Sequence, residues 1–116
     1  MAVTKDFLFD PNERKIACLG KALMHPGRVR IIHALLRKRV ISYPDLLDLV
    51  PLYRSTVDDH LRTLERFELV ERVNMINNLG GYSLRHDNYR AYLTAMGGYL
   101  HPETRMRMIE GAGKVG

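Results

Sequence analysis

The stretch from Arg54 to Gly81 constrains this sequence most, because a helical pattern is followed directly by two short β-type segments. Val57, Leu61 and Leu64 recur at the spacing of one helix face, which predicts a buried stripe. The opposite face carries hydroxyl, acidic and basic side chains, namely Ser55, Thr56, Asp59, Arg62, Thr63 and Arg66. A helix with such an outward face has the size and chemistry to enter the major groove of duplex DNA.

The segments on either side complete a recognisable order of elements. Before this helix, Ser42 is expected to cap a short helix that ends at Pro51, and a tight turn connects the two helices. After it, the residues from Leu69 to Ile76 predict a strand, and Tyr82 to Leu84 predict the return strand. The glycines at 80 and 81 are assigned to the tip of this hairpin. We therefore predict a mainly α fold with a small β-hairpin, a winged helix-turn-helix.

Two more helices are expected before this unit and one after it. Asp10 and Pro11 predict the start of a first helix that runs to Met24, and a second helix follows the break at residues 25–27. Ile41 is expected to contribute a very short strand. We divide the chain into an arm (1–10), a winged helix-turn-helix domain with dimerisation helices (11–100) and a partly disordered tail (101–116).

The last helix is expected to be capped by Asp87 and carries more apolar surface than a small domain usually needs to cover itself. Its apolar stripe consists of Tyr89, Tyr92, Leu93, Met96 and Leu100. This surplus predicts a partner helix, although a small-molecule pocket lined by tyrosines is an alternative.

Charge and size limit the classes of function. The 116 residues suffice for one domain, and the formal charge of +5 favours an anionic partner. The single cysteine, Cys18, has no internal disulfide partner, and no apolar run approaches the roughly 20 residues that cross a bilayer. We expect a cytoplasmic protein without a membrane partner.

Three motifs in order resemble the ArsR/SmtB-type transcriptional regulators. They are Ala22-Leu23-Met24-His25-Pro26-Gly27-Arg28-Val29-Arg30-Ile31-Ile32, Ser55-Thr56-Val57-Asp58-Asp59-His60-Leu61-Arg62-Thr63-Leu64 and Phe67-Glu68-Leu69-Val70, and the resemblance covers residues 22–100. It implies a homodimer whose first and last helices form the interface and whose two recognition helices enter successive major grooves. The implied dimer contacts are Ile16, Leu23, Tyr89, Tyr92, Leu93, Met96 and Leu100.

Basic and hydroxyl side chains are the candidate contacts to double-stranded DNA. Arginines on the recognition helix and beside the wing are placed for phosphates, namely Arg54, Arg62, Arg66, Arg72 and Arg85. Ser55 and Thr56 suit bases or phosphates, and Asp59 suits the amino group of cytosine, whereas Asp58 is expected to cap or to pair locally. The alternative is a charged face that is merely solvated.

The sequence does not favour a metal site or an enzyme. The pair of thiols used by cysteine-based sensors of the resembled family is missing near residues 45–48, and His86-Asp87 with His101 and Glu103 only loosely matches the family's other site. His60 is expected to be a hydrogen-bonded packing residue and Cys18 a small buried one. No nucleophile, base and orienting group occur at a catalytic spacing, and no cofactor is expected.

The leading hypothesis is a sequence-specific DNA-binding regulator, a repressor that acts as a homodimer on a palindromic operator, with an unknown inducer. The alternative is a winged-helix adaptor that binds protein through its last helix and the Asp58-Asp59 pair and has little affinity for DNA.

Overall fold

The computed structural model describes residues 5–75, 79–101 and 103. After a single 3-10 turn at Asp6–Leu8, the elements are α1 (Pro11–Ala22), α2 (Pro26–Arg37), β1 (Val40–Ser42), α3 (Tyr43–Leu49), α4 (Arg54–Arg66), β2 (Val70–Asn74), β3 (Gly80–Leu84) and α5 (His86–Leu100). This order confirms the winged helix-turn-helix, in which α3 and α4 form the helix pair and β2 and β3 the wing. The tail after residue 103 and the wing-tip residues 76–78 lie outside the described residues.

Side chains fix the starts of the first three helices. The Asp10 carboxylate accepts from the backbone N–H of Asn12 at 2.8 Å, and Glu13 accepts in turn from the backbone N–H of Asp10, so α1 begins with a capping box. The Nδ1 atom of His25 accepts from the N–H of Gly27 and caps α2. Ser42 caps α3, as the sequence predicts.

The last helix starts differently from the prediction. Its N-cap is Arg85, and Asp87 lies inside the first turn. The prediction that Asp87 is the cap is therefore wrong. Its carboxylate is instead near the positive end of the helix dipole, where a negative charge is also favourable.

The wing belongs to a three-stranded antiparallel sheet with the order β1-β3-β2. β1 pairs with β3 from Val40 opposite Ser83 to Ser42 opposite Gly81, so the short strand expected at Ile41 is present. The assignment of Gly80 and Gly81 to the hairpin tip is wrong, because both lie within β3. A Cβ atom on Gly81 would lie 3.0 Å from the backbone oxygen of Ile41, so the close approach of β1 requires glycine there.

One apolar core holds the recognition helix against the rest of the domain. Val57, Leu61 and Leu64 are fully buried, as their spacing predicts, and they meet leucines and isoleucines of the neighbouring elements. These neighbours include Leu19, Ile31, Leu35, Ile41, Leu46, Leu69 and Leu84. Among the described residues, no helix combines the length and the apolar character needed to traverse a bilayer.

Candidate nucleic-acid interface

Helix α4 buries one face and leaves the other open, as a recognition helix requires. Tyr53 occupies its N-cap position without a side-chain cap from the described residues, and the Tyr53 ring is 87% exposed. Arg54, Ser55 and Arg66 are exposed, and Thr56 is half-buried. The first turn of the helix therefore presents hydroxyl and basic groups directly to solvent.

Four of the other predicted DNA contacts are exposed on α4, on β2 and at the start of α5. Asp59 and Arg62 are exposed on α4, Arg72 is exposed on β2, and Arg85 is exposed between β3 and α5. Thr63 is half-buried, and its Oγ1 atom donates to the backbone oxygen of Asp59 at 3.0 Å. This internal hydrogen bond leaves Thr63 less available to a base than Ser55.

Arg62 and Asp59 form an ion pair along the outward face of α4. The Nη1 atom of Arg62 lies 3.3 Å from Oδ1 of Asp59, and both side chains are about two-thirds exposed. An exposed pair of this kind adds little to stability and exchanges readily with solvent ions. A phosphate can therefore compete with Asp59 for the Arg62 guanidinium.

A second ion pair connects the recognition helix to the wing. The Nε atom of Arg72 donates to Oε1 of Glu65 at 3.0 Å, and this hydrogen bond is the largest cause of a raised pKa for Arg72. The pair joins α4 to β2 and places a cationic side chain next to the helix. No local pattern in the sequence indicates that Glu65 would hold Arg72.

Asp58 is held by a tyrosine of the preceding helix. The hydroxyl group of Tyr43, the first residue of α3, donates to Oδ1 of Asp58. The same hydroxyl oxygen accepts from Nε of Arg54 at 3.3 Å, and the Arg54 guanidinium carbon lies 5.5 Å from the centre of the Tyr43 ring. Asp58 thus pairs within the protein, but its partner lies fifteen positions earlier, so the prediction of a cap or a local pair is wrong.

These groups surround a groove between the helix pair and the wing. Its volume is about 570 Å³, and its walls include Tyr43, Asp58, Arg62, Arg72, Leu79 and Tyr82. Burial raises the pKa of the Tyr82 phenol, with Glu65 and Asp58 adding to the rise and Arg72 opposing it. Tyr82 is therefore a neutral hydroxyl at neutral pH, in a groove that two arginines and the Asp58 carboxylate also line.

Behind the interface, His60 anchors α4 to the start of α2. Its ring is buried, and its Nδ1 atom accepts from Nε of Arg28 at 3.0 Å. The Nε2 atom is buried with no hydrogen-bond partner among the described residues. Burial is the main cause of the lowered pKa of His60, and His25 and Arg28 lower it further. The prediction of a hydrogen-bonded packing residue is correct for one of the two ring nitrogens.

The predicted dimer contacts divide into two groups. Leu23, Tyr89, Tyr92 and Met96 pack partly against the core, and Ile16 is half-buried on α1. Leu93 and Leu100 are instead 43% and 63% exposed on α5. The described residues of this single chain leave these two leucines in solvent.

The structure does not assemble a metal site from the predicted candidates. No group of three or more His, Cys, Asp or Glu side chains that could hold an ion occurs among the residues described. Nδ1 of His101 accepts from the backbone N–H of Glu103. Cys18 is half-buried on α1, beside a groove that also contains Phe9 and Phe67.

Sequence reasoning missed Tyr43 and Tyr53 as members of the interface. Tyr43 makes its contact across fifteen residues, so no local spacing indicates it. Tyr53 stands out in the sequence only because it lacks the oxygen-bearing short side chain of a usual cap. An exposed aromatic ring before a recognition helix is nevertheless itself a surface that DNA can contact.

Comparison with known proteins agrees with this geometry. Residues 25–72, from the cap of α2 into β2, match the family model described as bacterial regulatory protein, arsR family. Among curated proteins, none matches the chain. The matched model describes a family of regulatory proteins rather than of enzymes.

Several solved structures have the same fold. An ArsR-like transcriptional regulator from Rhodococcus sp. RHA1 is 19% identical with a TM-score of 0.70, over 91% of this chain and 96% of that chain. HlyU from Vibrio cholerae N16961 is 24% identical with a TM-score of 0.61, over 78% of this chain and 98% of that chain. The M. tuberculosis protein Rv0081 is 26% identical with a TM-score of 0.57, over 89% of this chain and 98% of that chain.

Proposed function

We infer that this chain is an ArsR-type winged helix-turn-helix regulator and, more specifically, a cytoplasmic repressor that binds a palindromic DNA operator as a homodimer. The match of residues 25–72 to the family model and the fold of the chain support this proposal. In this proposal, α4 enters the major groove and the wing flanks it. The two-fold symmetry of the dimer demands half-sites about one helical turn apart, on the order of 10 base pairs.

The observation that carries the proposal is the open face of α4 beside the wing. Ser55 and Arg54 are exposed at the N-terminal end of the helix, where recognition helices make their base contacts. Arg62, Arg66 and Arg72 are exposed further along the same side of the domain. This arrangement places short hydroxyl groups near bases and long cations near phosphates on either side.

Asp59 has a role in specificity in this proposal. Its carboxylate is exposed, and among the described residues its only ion pair is the solvent-accessible one with Arg62. When Arg62 moves to a phosphate, Asp59 is free to accept from the N4 amino group of cytosine in the major groove. One acidic residue thereby contributes base selection, while the neighbouring arginine contributes affinity.

The homodimer is supported by the apolar surface that a single copy leaves open. Leu93 and Leu100 are exposed on α5, and α5 packs against α1. A second copy would remove these leucines from water, which stabilises the assembly by roughly 25 cal/mol for each Å² of apolar area buried.

Selection of bound sequences from a random duplex pool tests this function directly. We expect an inverted repeat to be enriched, and we expect Ser55→Ala or Thr56→Ala to change the enriched bases. Ser83→Ala, a hydroxyl removed from a half-buried position in β3, is the matched control and should enrich the same repeat. Failure of the wild-type protein to enrich any sequence would favour the protein-binding adaptor instead.

A further inference from the structure

We propose that Tyr43 is a positioning residue that keeps the Asp58 carboxylate away from the DNA backbone and, through the same hydroxyl group, fixes Arg54 at the start of the recognition helix. This inference rests on the proposed function, because it concerns how α4 meets a duplex. It assigns a DNA-binding role to a residue of α3, outside the recognition helix itself.

The formal charge of α4 shows why such a residue is needed. The helix contains three arginines and three carboxylates, so it has no net formal charge when His60 is neutral. Carboxylates on the outward face repel phosphates as strongly as arginines attract them. A partner within the protein that holds an acidic group away from the phosphates therefore favours binding of the duplex.

Each of the three carboxylates has such a partner, but the partners differ in kind. Asp59 is paired with Arg62, and Glu65 is paired with Arg72, so each of these pairs contributes no net charge. Asp58 is held by the neutral hydroxyl group of Tyr43. The Tyr43 hydroxyl is thus the hydrogen-bond donor that directs the Asp58 carboxylate toward α3.

Asp58 lies close to arginines that could bind phosphates, so the direction in which its carboxylate points matters. Asp58 is one turn before Arg62 on α4, and both residues line the groove between the helix pair and the wing, together with Arg72. A carboxylate released from Tyr43 could turn toward either arginine or toward a phosphate held between them. In both cases the attraction for the DNA backbone would decrease.

Arg54 depends on the same hydroxyl group. Its Nε atom donates to the Tyr43 oxygen, and its guanidinium group lies over the Tyr43 ring. Both contacts restrict a long side chain that is otherwise exposed at the first position of α4. A restricted arginine loses less conformational entropy when it binds a phosphate.

A set of four proteins tests this inference: the wild type, Tyr43→Phe, Asp58→Asn and the double variant Tyr43→Phe/Asp58→Asn. Phenylalanine keeps the ring under Arg54 and removes only the hydroxyl group. The affinity of each protein is measured by fluorescence anisotropy on the duplex that the wild type selects, at several salt concentrations. Tyr99→Phe, which removes a hydroxyl group from an exposed ring on α5, is the matched control.

We expect Tyr43→Phe to weaken binding about fivefold, the effect of roughly one unfavourable charge contact in water. In the double variant, we expect Asp58→Asn to restore most of that affinity, because the negative charge of the Asp58 carboxylate is removed. Tyr99→Phe should bind like the wild type. Thermal unfolding of every variant checks that it is folded at the temperature of the binding measurement.

Two results would overturn the inference. Unchanged affinity in a folded Tyr43→Phe variant would show that the hydroxyl group does not act on DNA binding. A loss that Asp58→Asn does not restore would show that Tyr43 does not act on DNA binding through the Asp58 carboxylate. A wild-type protein that binds no duplex would be seen before any variant is compared, and it would overturn the proposed function together with this inference.

Discussion

The ring of His60 on the recognition helix lies against the ring of His25, the residue that caps α2, with 4.3 Å between the ring centres and 39° between the ring planes. Arg28 completes the cluster by donating to His60 and, through Nη1, to the backbone oxygen of Lys21 at 3.1 Å. His25 and Arg28 therefore connect the start of the second helix to the recognition helix.

Acidification should destabilise this junction. The pKa of His60 is lowered in the folded protein from its ordinary value of 6.5 by burial, His25 and Arg28, against a smaller opposite effect of Asp59. Below pH 6.5 the unfolded chain therefore binds more protons than the folded one. His60 therefore makes its full contribution to the free energy of unfolding above that pH. As the pH decreases below it, the free energy of unfolding should fall because of His60 by at most about 1.4 kcal/mol per pH unit.

Urea unfolding at about pH 7.5 and about pH 5.5, on either side of the ordinary histidine pKa, measures this dependence. His60→Gln should reduce the difference between the two pH values, because the titrating group is removed. His33→Gln is the matched control, since His33 is exposed on α2, and it should leave the difference as in the wild type. An equal pH dependence in His60→Gln and the wild type would contradict the prediction.

Gly81→Ala should destabilise the sheet. The added methyl group would lie 2.6 Å from the Met75 sulfur and 3.0 Å from the Ile41 backbone oxygen, and the backbone of β1 cannot yield as a side chain can. We expect a loss of roughly 1–3 kcal/mol in the free energy of unfolding, the usual cost of overpacking. The control is Gly80→Ala, whose methyl group would have no described atom within 4 Å. Equal melting temperatures for the two variants would refute the argument.

Removal of two arginines from α4 should flatten the salt dependence of DNA binding. Arg62 and Arg66 are exposed on the outward side of the helix. Each arginine that neutralises a phosphate makes the plot of log K against log salt steeper by about 0.9, so its replacement should make the plot shallower by that amount. Arg62→Ala/Arg66→Ala is compared with Arg14→Ala/Arg90→Ala, which removes the same charge from exposed positions of α1 and α5. If both double variants show the same slope, the arginines of α4 act only through net charge.

Leu93→Asp should convert a dimer into a monomer. A carboxylate at the centre of an apolar contact would lose its hydration on association, which is strongly unfavourable. Sedimentation equilibrium should show a species near the chain mass of 13.4 kDa for the variant and twice that mass for the wild type. Leu36→Asp on α2 is the control, because Leu36 is exposed to nearly the same extent as Leu93. A wild-type protein that sediments as a monomer would remove the basis of the palindromic operator.

Local signals in the sequence were sufficient to predict the helices and the recognition face. Asp10-Pro11 and Ser42 act through residues two or three positions away, so their patterns indicate helix starts without knowledge of the fold. The burial of Val57, Leu61 and Leu64 likewise follows from spacing alone, because they share one side of a helix with a fixed period.

Local patterns in the sequence could not predict contacts between distant segments of the chain. The hydrogen bond from Tyr43 to Asp58 depends on the angle between two helices, and the position of Gly81 depends on β1, a strand much earlier in the chain. Glycines in sequence also predict turns more often than close backbone contacts, which explains the wrong assignment of the hairpin tip. The Arg72 to Glu65 pair was missed for the same reason as the Tyr43 bond, because it joins a helix to a strand.

The C-terminal end of α4 is tied to the last helix by two hydrogen bonds. The Tyr92 hydroxyl donates to the backbone oxygen of Phe67 at 3.1 Å, and Nδ2 of Asn88 donates to the backbone oxygen of Glu68 at 2.9 Å. Glu68 has a φ of 58°, a backbone angle that residues with a side chain adopt uncommonly. A tilt of the last helix would therefore either break these two bonds or move the far end of the recognition helix, so in the proposed dimer the orientation of the last helix would also affect the distance between the two recognition helices.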